Sequence, residues 1–155
     1  MGTIDHEENW LLPKRAGNSN SGSKVIEIVF LAVLVFTIVR SLIHIFTPDG
    51  GAGSIAGIDT SVVGGSNIVS VFAFWGLSQL LLGVVFLVVY LRYRNLIPLM
   101  YFLVLAEYSG RILIGVIKPL TTSHVPPGAY GDYIMVPLAI VMLIISRMRL
   151  HTREL

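Results

Sequence analysis

Residues 25–46 read VIEIVFLAVLVFTIVRSLIHIF, and this stretch decides the fold class. It exceeds the roughly 20 apolar residues that a helix needs to cross a hydrocarbon core of about 30 Å. Two runs of similar length follow at 68–91 and 96–117, and a shorter one covers 133–146. Only 13% of the 155 residues are charged, against about 25% in soluble domains. We predict an all-α, polytopic membrane protein built as a four-helix transmembrane bundle.

The domain organisation follows from these runs. The predicted spans are 25–46, 68–91, 96–117 and 131–147, the last one extended beyond its apolar run to approach a spanning length. Residues 1–24 are polar and include an Asn/Ser/Gly run at 17–23, which predicts a flexible tail. Residues 148–155 form a second tail. A cleavable signal peptide is the alternative for the tail and first span, but no small-x-small site directly follows the long apolar region.

Basic residues are distributed unevenly among the segments between spans. They lie before the first span, between the second and third spans, and after the fourth. The basic residues of these segments are Lys14, Arg15, Lys24, Arg92, Arg94, Arg147, Arg149 and Arg153. The other two loops contain only Lys118. The positive-inside rule places the three basic segments in the cytoplasm. We therefore predict cytoplasmic N- and C-termini, with loops 47–67 and 118–132 facing outward. The short turn 92–95 predicts an antiparallel hairpin of spans two and three with neighbouring axes.

Five polar side chains inside the spans form the candidate ligand-binding set: Arg40, His44, Gln79, Glu107 and Arg111. At 1.5 Å per residue, Arg40 and Arg111 both lie about 22 Å from the cytoplasmic ends of their spans. Arg40 and His44 share one helix face, as do Glu107 and Arg111, because each pair is four residues apart. Ionisable groups within a span usually face the bundle interior. The sequence therefore predicts one polar cluster in the outer half of the bundle.

The charge balance of this cluster suggests three interpretations. Two arginines face one carboxylate, which leaves a positive charge without a partner at a depth where a lone charge is costly. In the first, Asp49 or Asp59 supplies the missing charge if the outer loop 47–67, the Gly-rich loop, folds inward. An anionic ligand held by the arginines is the second interpretation. In the third, Glu107 pairs with an arginine only to fix helix register. His124, in the second outer loop, is a further candidate residue.

Catalytic and metal chemistry find little support. No HxxxH or HExxH spacing accompanies the histidines, no Ser-His-Asp arrangement can be traced, and the chain has no cysteine. We expect Ser41 and Ser78 to bond to their own helix backbones. The sequence therefore favours a non-catalytic protein over an enzyme, and we expect no cofactor, no metal and no nucleic acid partner.

A proton-coupled transporter is also disfavoured. Glu107 beside an arginine is a candidate titrating group, but in the inner half of the spans Glu27 is the only carboxylate to continue a relay. Small residues in the spans predict close packing: Gly76 and Gly83 on span two, and Ala106 with Gly110 on span three, permit close helix contacts. We expect these contacts within the chain, with dimerisation as the alternative.

The stretch from Arg40 to Pro137 resembles small bacterial four-helix membrane proteins of the DoxX-like group. The resemblance is carried by Arg40-Ser41-Leu42-Ile43-His44, Thr47-Pro48-Asp49-Gly50-Gly51, Gly76-Leu77-Ser78-Gln79, Glu107 with Gly110-Arg111, Lys118-Pro119 and Pro126-Pro127-Gly128. It implies a four-helix architecture in a bacterial plasma membrane, the inner membrane, and no particular mechanism.

Together these observations predict an integral membrane protein that binds a lipid or small anionic ligand in the outer half of the bundle. The alternative is a non-catalytic accessory or scaffold subunit of a membrane complex. Membrane lipids are the expected partners, and both a homo-oligomer and a larger membrane complex stay open.

Overall fold

The computed structural model describes residues 10–18 and 23–151, with side chains described as far as Met148. This part of the chain contains four long α-helices and no strand. They are α1 (Lys24–Phe46), α2 (Gly65–Arg92), α3 (Ile97–Ile117) and α4 (Pro127–His151), with a 3-10 turn at Arg94–Leu96. Each is long and apolar enough to cross a membrane, which confirms the predicted fold class. The predictions for residues 1–9, 19–22 and 152–155, Arg153 among them, and for the Arg149 side chain lie outside the described part.

The fourth helix is longer than the apolar run predicted. It begins at Pro127, ahead of the predicted start at 131, and its apolar span Pro127–Met148 has 22 residues. Pro126-Pro127-Gly128 resembles a loop in sequence, but proline is tolerated in the first helical turn, where its missing N–H has no intrahelical partner. No hydrophobic mismatch therefore needs to be accommodated.

The helices associate as two pairs, α1 with α2 and α3 with α4. The short turn predicted an antiparallel hairpin of spans two and three with neighbouring axes, but α2 and α3 touch far less than the helices within each pair. The α1–α2 contact depends on two glycines. A Cβ atom added at Gly76 would lie 2.8 Å from the Cβ of His44, and one at Gly83 would lie 2.9 Å from Cγ1 of Ile38. Gly110 faces open space, so only the span-two glycines pack as expected.

The best-packed region lies at one end of the bundle. We call the end with the α2–α3 turn the turn end, and the end with the two long loops the loop end. At the turn end, the rings of Phe86 and Tyr101 lie 5.3 Å and 5.7 Å from that of Phe30, and all three side chains are buried. The Tyr101 hydroxyl donates to the Ile26 carbonyl at 2.9 Å. This hydrogen bond satisfies a polar group that burial would otherwise penalise.

The turn end also holds part of the segment that we predicted to be a flexible tail. The Asn95 side chain accepts from Gly17 N at 2.9 Å and donates to the Arg15 carbonyl at 2.8 Å. Glu27 forms an ion pair with Arg94 at 3.2 Å. Residues 15–17 are therefore attached to the α2–α3 turn, and Glu27 pairs with a basic residue of that turn.

The two sequence-predicted helix serines behave as expected. Ser41 donates to the Thr37 carbonyl at 2.6 Å and Ser78 to the Phe74 carbonyl at 3.1 Å. Each hydroxyl thus uses its donor within its own helix.

Candidate ligand-binding site

Four of the five predicted site residues form one connected polar network near the loop end. Arg40 on α1 donates from Nη2 to Gln79 Oε1 at 3.2 Å. Gln79 on α2 donates from Nε2 to Glu107 Oε1 at 2.9 Å. Glu107 Oε1 lies 3.7 Å from Nη1 of Arg111, one turn further along α3. The neutral amide of Gln79 therefore connects a guanidinium on one helix pair to a carboxylate on the other.

A second carboxylate, Asp132 on α4, completes the network. Its Oδ1 lies 3.0 Å from Arg111 Nε, so Arg111 contacts both carboxylates and joins α3 to α4. Asp132 is not among the predicted site residues, since it lies at the edge of the predicted fourth span, 131–147. The charge count is consequently two arginines against two carboxylates, and neither Asp49 nor Asp59 is the counter-ion that the sequence suggested.

Trp75 on α2 lies against both arginines. The guanidinium carbons of Arg40 and Arg111 lie 4.7 Å and 5.1 Å from its ring centre, within cation–π range. Arg111 also lies 5.0 Å from the ring of Tyr108. Aromatic faces thus support both cations, and Trp75 lies one helical turn from Gln79 in the sequence.

His44 stands apart from the charged network and supports the Gly-rich loop. Its Nδ1 is 2.7 Å from the Gly50 carbonyl, and because a carbonyl only accepts, Nδ1 carries the proton. The imidazole is buried and packs on Trp75, with ring centres 4.7 Å apart. Together, the bond to Gly50 and the packing on Trp75 place the start of the Gly-rich loop next to the tryptophan.

Asp49 and Asp59 organise their own loop instead of reaching the cluster. Asp49 accepts from Ser54 N at 2.6 Å and from Gly51 N at 2.9 Å, and these bonds lower its pKa to about 2. Asp59 accepts from the hydroxyl and N–H of Ser61, which also lowers its pKa. Hydrogen bonds to the ionised form favour that form. Both carboxylates therefore stabilise turns of the loop.

The two outer loops are attached to each other. Ser123 N donates to the Gly57 carbonyl at 2.8 Å, and His124 Nε2 lies 3.2 Å from the Ile55 carbonyl. Gly57 has a φ of +69°, and an added Cβ would lie only 2.7 Å from His124 Cε1. The positive φ therefore favours glycine at this crossing, and a Cβ there would displace the His124 side chain that joins the loops. His124, a predicted loop candidate, joins the two loops and does not touch the polar network.

The network is balanced in charge but incomplete in hydrogen bonds. Within the described chain, three buried atoms lack a hydrogen-bond partner: Arg40 Nε, Arg111 Nη1 and Asp132 Oδ1. The contacts of Arg111 with the carboxylates satisfy ion-pair distances but not the geometry of a hydrogen bond at these atoms. Buried polar groups are rarely left in this state, and each such group calls for an explanation.

A cavity of about 1020 Å³ lies beside the network, between α1 and the α3–α4 pair. Arg40, His44, Trp75, Arg111 and Asp132 contribute to its wall, as do Gly51, Ile55 and Ala56 of the Gly-rich loop. The remaining lining is mostly apolar, both aliphatic and aromatic, and comes from all four helices and the second loop, which also contributes Thr122, while Lys118 lies at the end of α3. The Gly-rich loop therefore covers the site, as the sequence allowed, but it contributes backbone and apolar groups in place of a carboxylate.

Neither a metal nor a known family identifies the site. Among the described residues, no group of three or more histidines and carboxylates could hold a metal ion. No family model, curated protein or solved structure matches the chain. The resemblance to the DoxX-like group consequently stays a prediction, and the function must be argued from the geometry of the cavity.

Proposed function

We propose that this membrane protein binds a lipid or small anionic ligand in the loop-end cavity. One observation carries the proposal: Arg40 lines a large cavity and has no carboxylate within 4 Å among the described residues. Its only hydrogen-bond acceptor there is the neutral amide of Gln79. A guanidinium presents five donors and forms strong, often bidentate contacts with carboxylates and phosphates.

The distribution of charge supports Arg40, and not Arg111, as the principal ligand contact. Both carboxylates of the network lie against Arg111, at 3.7 Å and 3.0 Å. The network is neutral as a whole, but its positive end lies at Arg40 and its negative end near Asp132. An anion beside Arg40 would use the donor capacity of this arginine without displacing an existing ion pair.

The proposal is tested by mass spectrometry of molecules that copurify with the protein after gentle extraction. We expect an anionic species in the parent protein, lost in Arg40→Ala and retained in Arg92→Ala. Arg92 is the matched control because it is an exposed arginine at the turn end. Absence of an anionic ligand from the parent, or an identical ligand profile in Arg40→Ala, would refute the proposal.

We further propose that the loop end faces away from the cytoplasm, in a bacterial inner membrane. The excess of basic residues at the turn end supports this orientation, and the resemblance to the DoxX-like group supports the bacterial location. Because the chain contains no cysteine, single-cysteine variants report topology directly. A membrane-impermeant maleimide applied to intact cells should label Thr121→Cys and spare Asn18→Cys; the reverse pattern would overturn the orientation.

A second candidate function is that of a non-catalytic accessory or scaffold subunit. The observation in its favour is that the network links α1 to α2, α2 to α3 and α3 to α4 and has no net charge. Such a network can serve only to hold the helices in register. In a double-mutant cycle, Glu107→Gln and Arg111→Gln should then show a strong coupling in stability, with no copurifying ligand affected by either substitution. Additive losses would count against the scaffold role.

A further inference from the structure

The size of the cavity restricts the class of ligand. At about 1020 Å³ it lies at the upper end of the roughly 300–1,000 Å³ typical of small-molecule sites. A free inorganic anion would fill a small part of this volume. The aliphatic walls would then face water or empty space, and both forgo favourable apolar contacts. The volume therefore calls for a ligand with a substantial apolar part.

Polar and apolar groups are segregated along the cavity wall. The charged side chains that line the cavity are Arg40, Arg111 and Asp132 of the network, and Lys118 at the end of α3 towards the loops. Val39 and Ile43 on α1, and Ile134 on α4, contribute apolar lining. A ligand that is polar at one end and apolar along the rest matches this arrangement.

The cavity is covered towards the loops and opens towards the bilayer. The Gly-rich loop lines it and is hydrogen-bonded to the second loop through Gly57 and His124. On the other side, Val39 is 51% exposed and Ile134 is 64% exposed. Val39 adjoins Arg40, and Ile134 is close in sequence to Asp132, so this opening lies at the depth of the network. An alkyl chain can therefore enter between α1 and α4 directly from the membrane.

We propose that the ligand is an amphiphile with an oxyanion headgroup, a phosphate or a carboxylate, bound at Arg40 with its alkyl chain leaving between α1 and α4. This inference rests on the proposed binding function and specifies its substrate class. The headgroup occupies the donors of Arg40 that the network leaves unused, above the face of Trp75. The chain covers the aliphatic wall and continues into the hydrocarbon of one leaflet.

Trp75 provides a direct reporter of headgroup occupancy. The chain has two tryptophans, so a Trp10→Phe background leaves Trp75 as the only source of indole emission. A brominated dodecyl phosphate, added to this variant in nanodiscs of zwitterionic lipid, should quench the emission saturably by contact. Inorganic phosphate should neither quench nor compete at equal concentration. Brominated dodecanol has the same chain without the charge. It should partition into the bilayer without binding at the site, so its quenching should not saturate.

Two variants test the parts of the site separately. Arg40→Gln should weaken the saturable quenching about tenfold or more, since a charge-assisted pair is lost, while Arg92→Gln leaves it unchanged. Val39→Phe narrows the opening and should weaken dodecyl phosphate binding without lowering thermal stability. This second variant keeps the test valid if Arg40→Gln folds poorly.

Each contrary result has a distinct meaning. Binding of inorganic phosphate as tightly as dodecyl phosphate would preserve the proposed function and overturn the amphiphile. Saturable binding of brominated dodecanol that Arg40→Gln leaves unchanged would overturn the oxyanion headgroup. Absence of saturable binding by dodecyl phosphate and by inorganic phosphate would overturn both the amphiphile and the proposed function.

Discussion

The contact between α1 and α2 is tested most sharply by replacing Gly76 with alanine. A Cβ atom there would lie 2.8 Å from the Cβ of His44, 3.1 Å from the Ser41 carbonyl and 3.2 Å from Ile45 Cγ1. The first two atoms cannot rotate away, so the helices must separate. Overpacking of this kind costs about 1–3 kcal/mol.

Gly110 on α3 provides the matched control. An alanine at this position meets no atom within 4 Å, and both glycines lie inside transmembrane helices. Any gain in helix propensity, about 0.5–1 kcal/mol in water, applies to both variants and cancels in their comparison. Gly76→Ala should therefore be less stable than Gly110→Ala by about 1–3 kcal/mol.

Reversible unfolding by SDS in mixed micelles measures this difference, and thermal unfolding in detergent provides an independent check. Since the separation occurs where Arg40 and His44 approach Trp75, Gly76→Ala should also shift the tryptophan emission in a Trp10→Phe background. Equal stability of the two variants would mean that α1 and α2 do not touch at Gly76. The arrangement of the cavity would then be wrong as well.

Three further perturbations test the network and the loops. Asp132→Asn leaves Arg111 with one carboxylate contact, the 3.7 Å contact with Glu107. It should cost about 2 kcal/mol, less than the roughly 3–5 kcal/mol for a fully buried pair. Arg111→Gln added to it should restore part of the loss in denaturant unfolding, and additive losses would contradict the pairing. The Asp49 carboxyl should titrate near 2 by ¹³C NMR. Its lowered pKa means that its stabilisation of the loop is fully present above the unfolded value of 3.8 and is lost as the pH falls towards 2; a midpoint near 4 would refute the loop hydrogen bonds. Gly57→Ala should raise hydrogen exchange in both loops more than the control Gly64→Ala does. Both glycines have positive φ, but a Cβ at Gly64 meets nothing closer than 3.8 Å. Equal exchange in the two variants would show that the loops are not joined at Gly57.

Composition and run length were sufficient to predict the fold class but not the helix pairing. Hydrophobic runs of spanning length leave few structural choices, because every backbone polar group must be satisfied within the helix. Pairing depends on which faces meet, and a helix that is apolar on all sides carries no stripe to indicate this. The span-two glycines at 76 and 83 were the available signal, and they indicated a close contact without identifying α1 as the partner.

Depth and helical spacing were sufficient to group most of the polar network. Arg40, Gln79, Glu107 and Arg111 were placed at similar depth by counting residues along their helices. Asp132 was missed because the predicted fourth span started at 131, which put this carboxylate at the membrane edge. Counted from Pro127, it lies about 7.5 Å into α4, close to the depth of Arg111. The cavity and the bond from His44 to the loop depend on gaps between helices, which no single-helix pattern encodes.

Gln79 determines whether the network needs a ligand. Its amide accepts from Arg40 and donates to Glu107 at the same time, so it connects the two groups without neutralising Arg40. Gln79→Glu alone would set its carboxylate against that of Glu107, and the two would share a proton. Combined with Glu107→Gln, it moves one carboxylate to Arg40 with almost no change of volume or net charge. If Arg40 holds an oxyanion, this double variant should weaken dodecyl phosphate binding about as much as Arg40→Gln while the arginine itself is retained, because the carboxylate competes for the same donors. A scaffold role predicts a change in stability alone. Undiminished binding in the double variant would therefore show that the headgroup does not depend on the unused charge of Arg40.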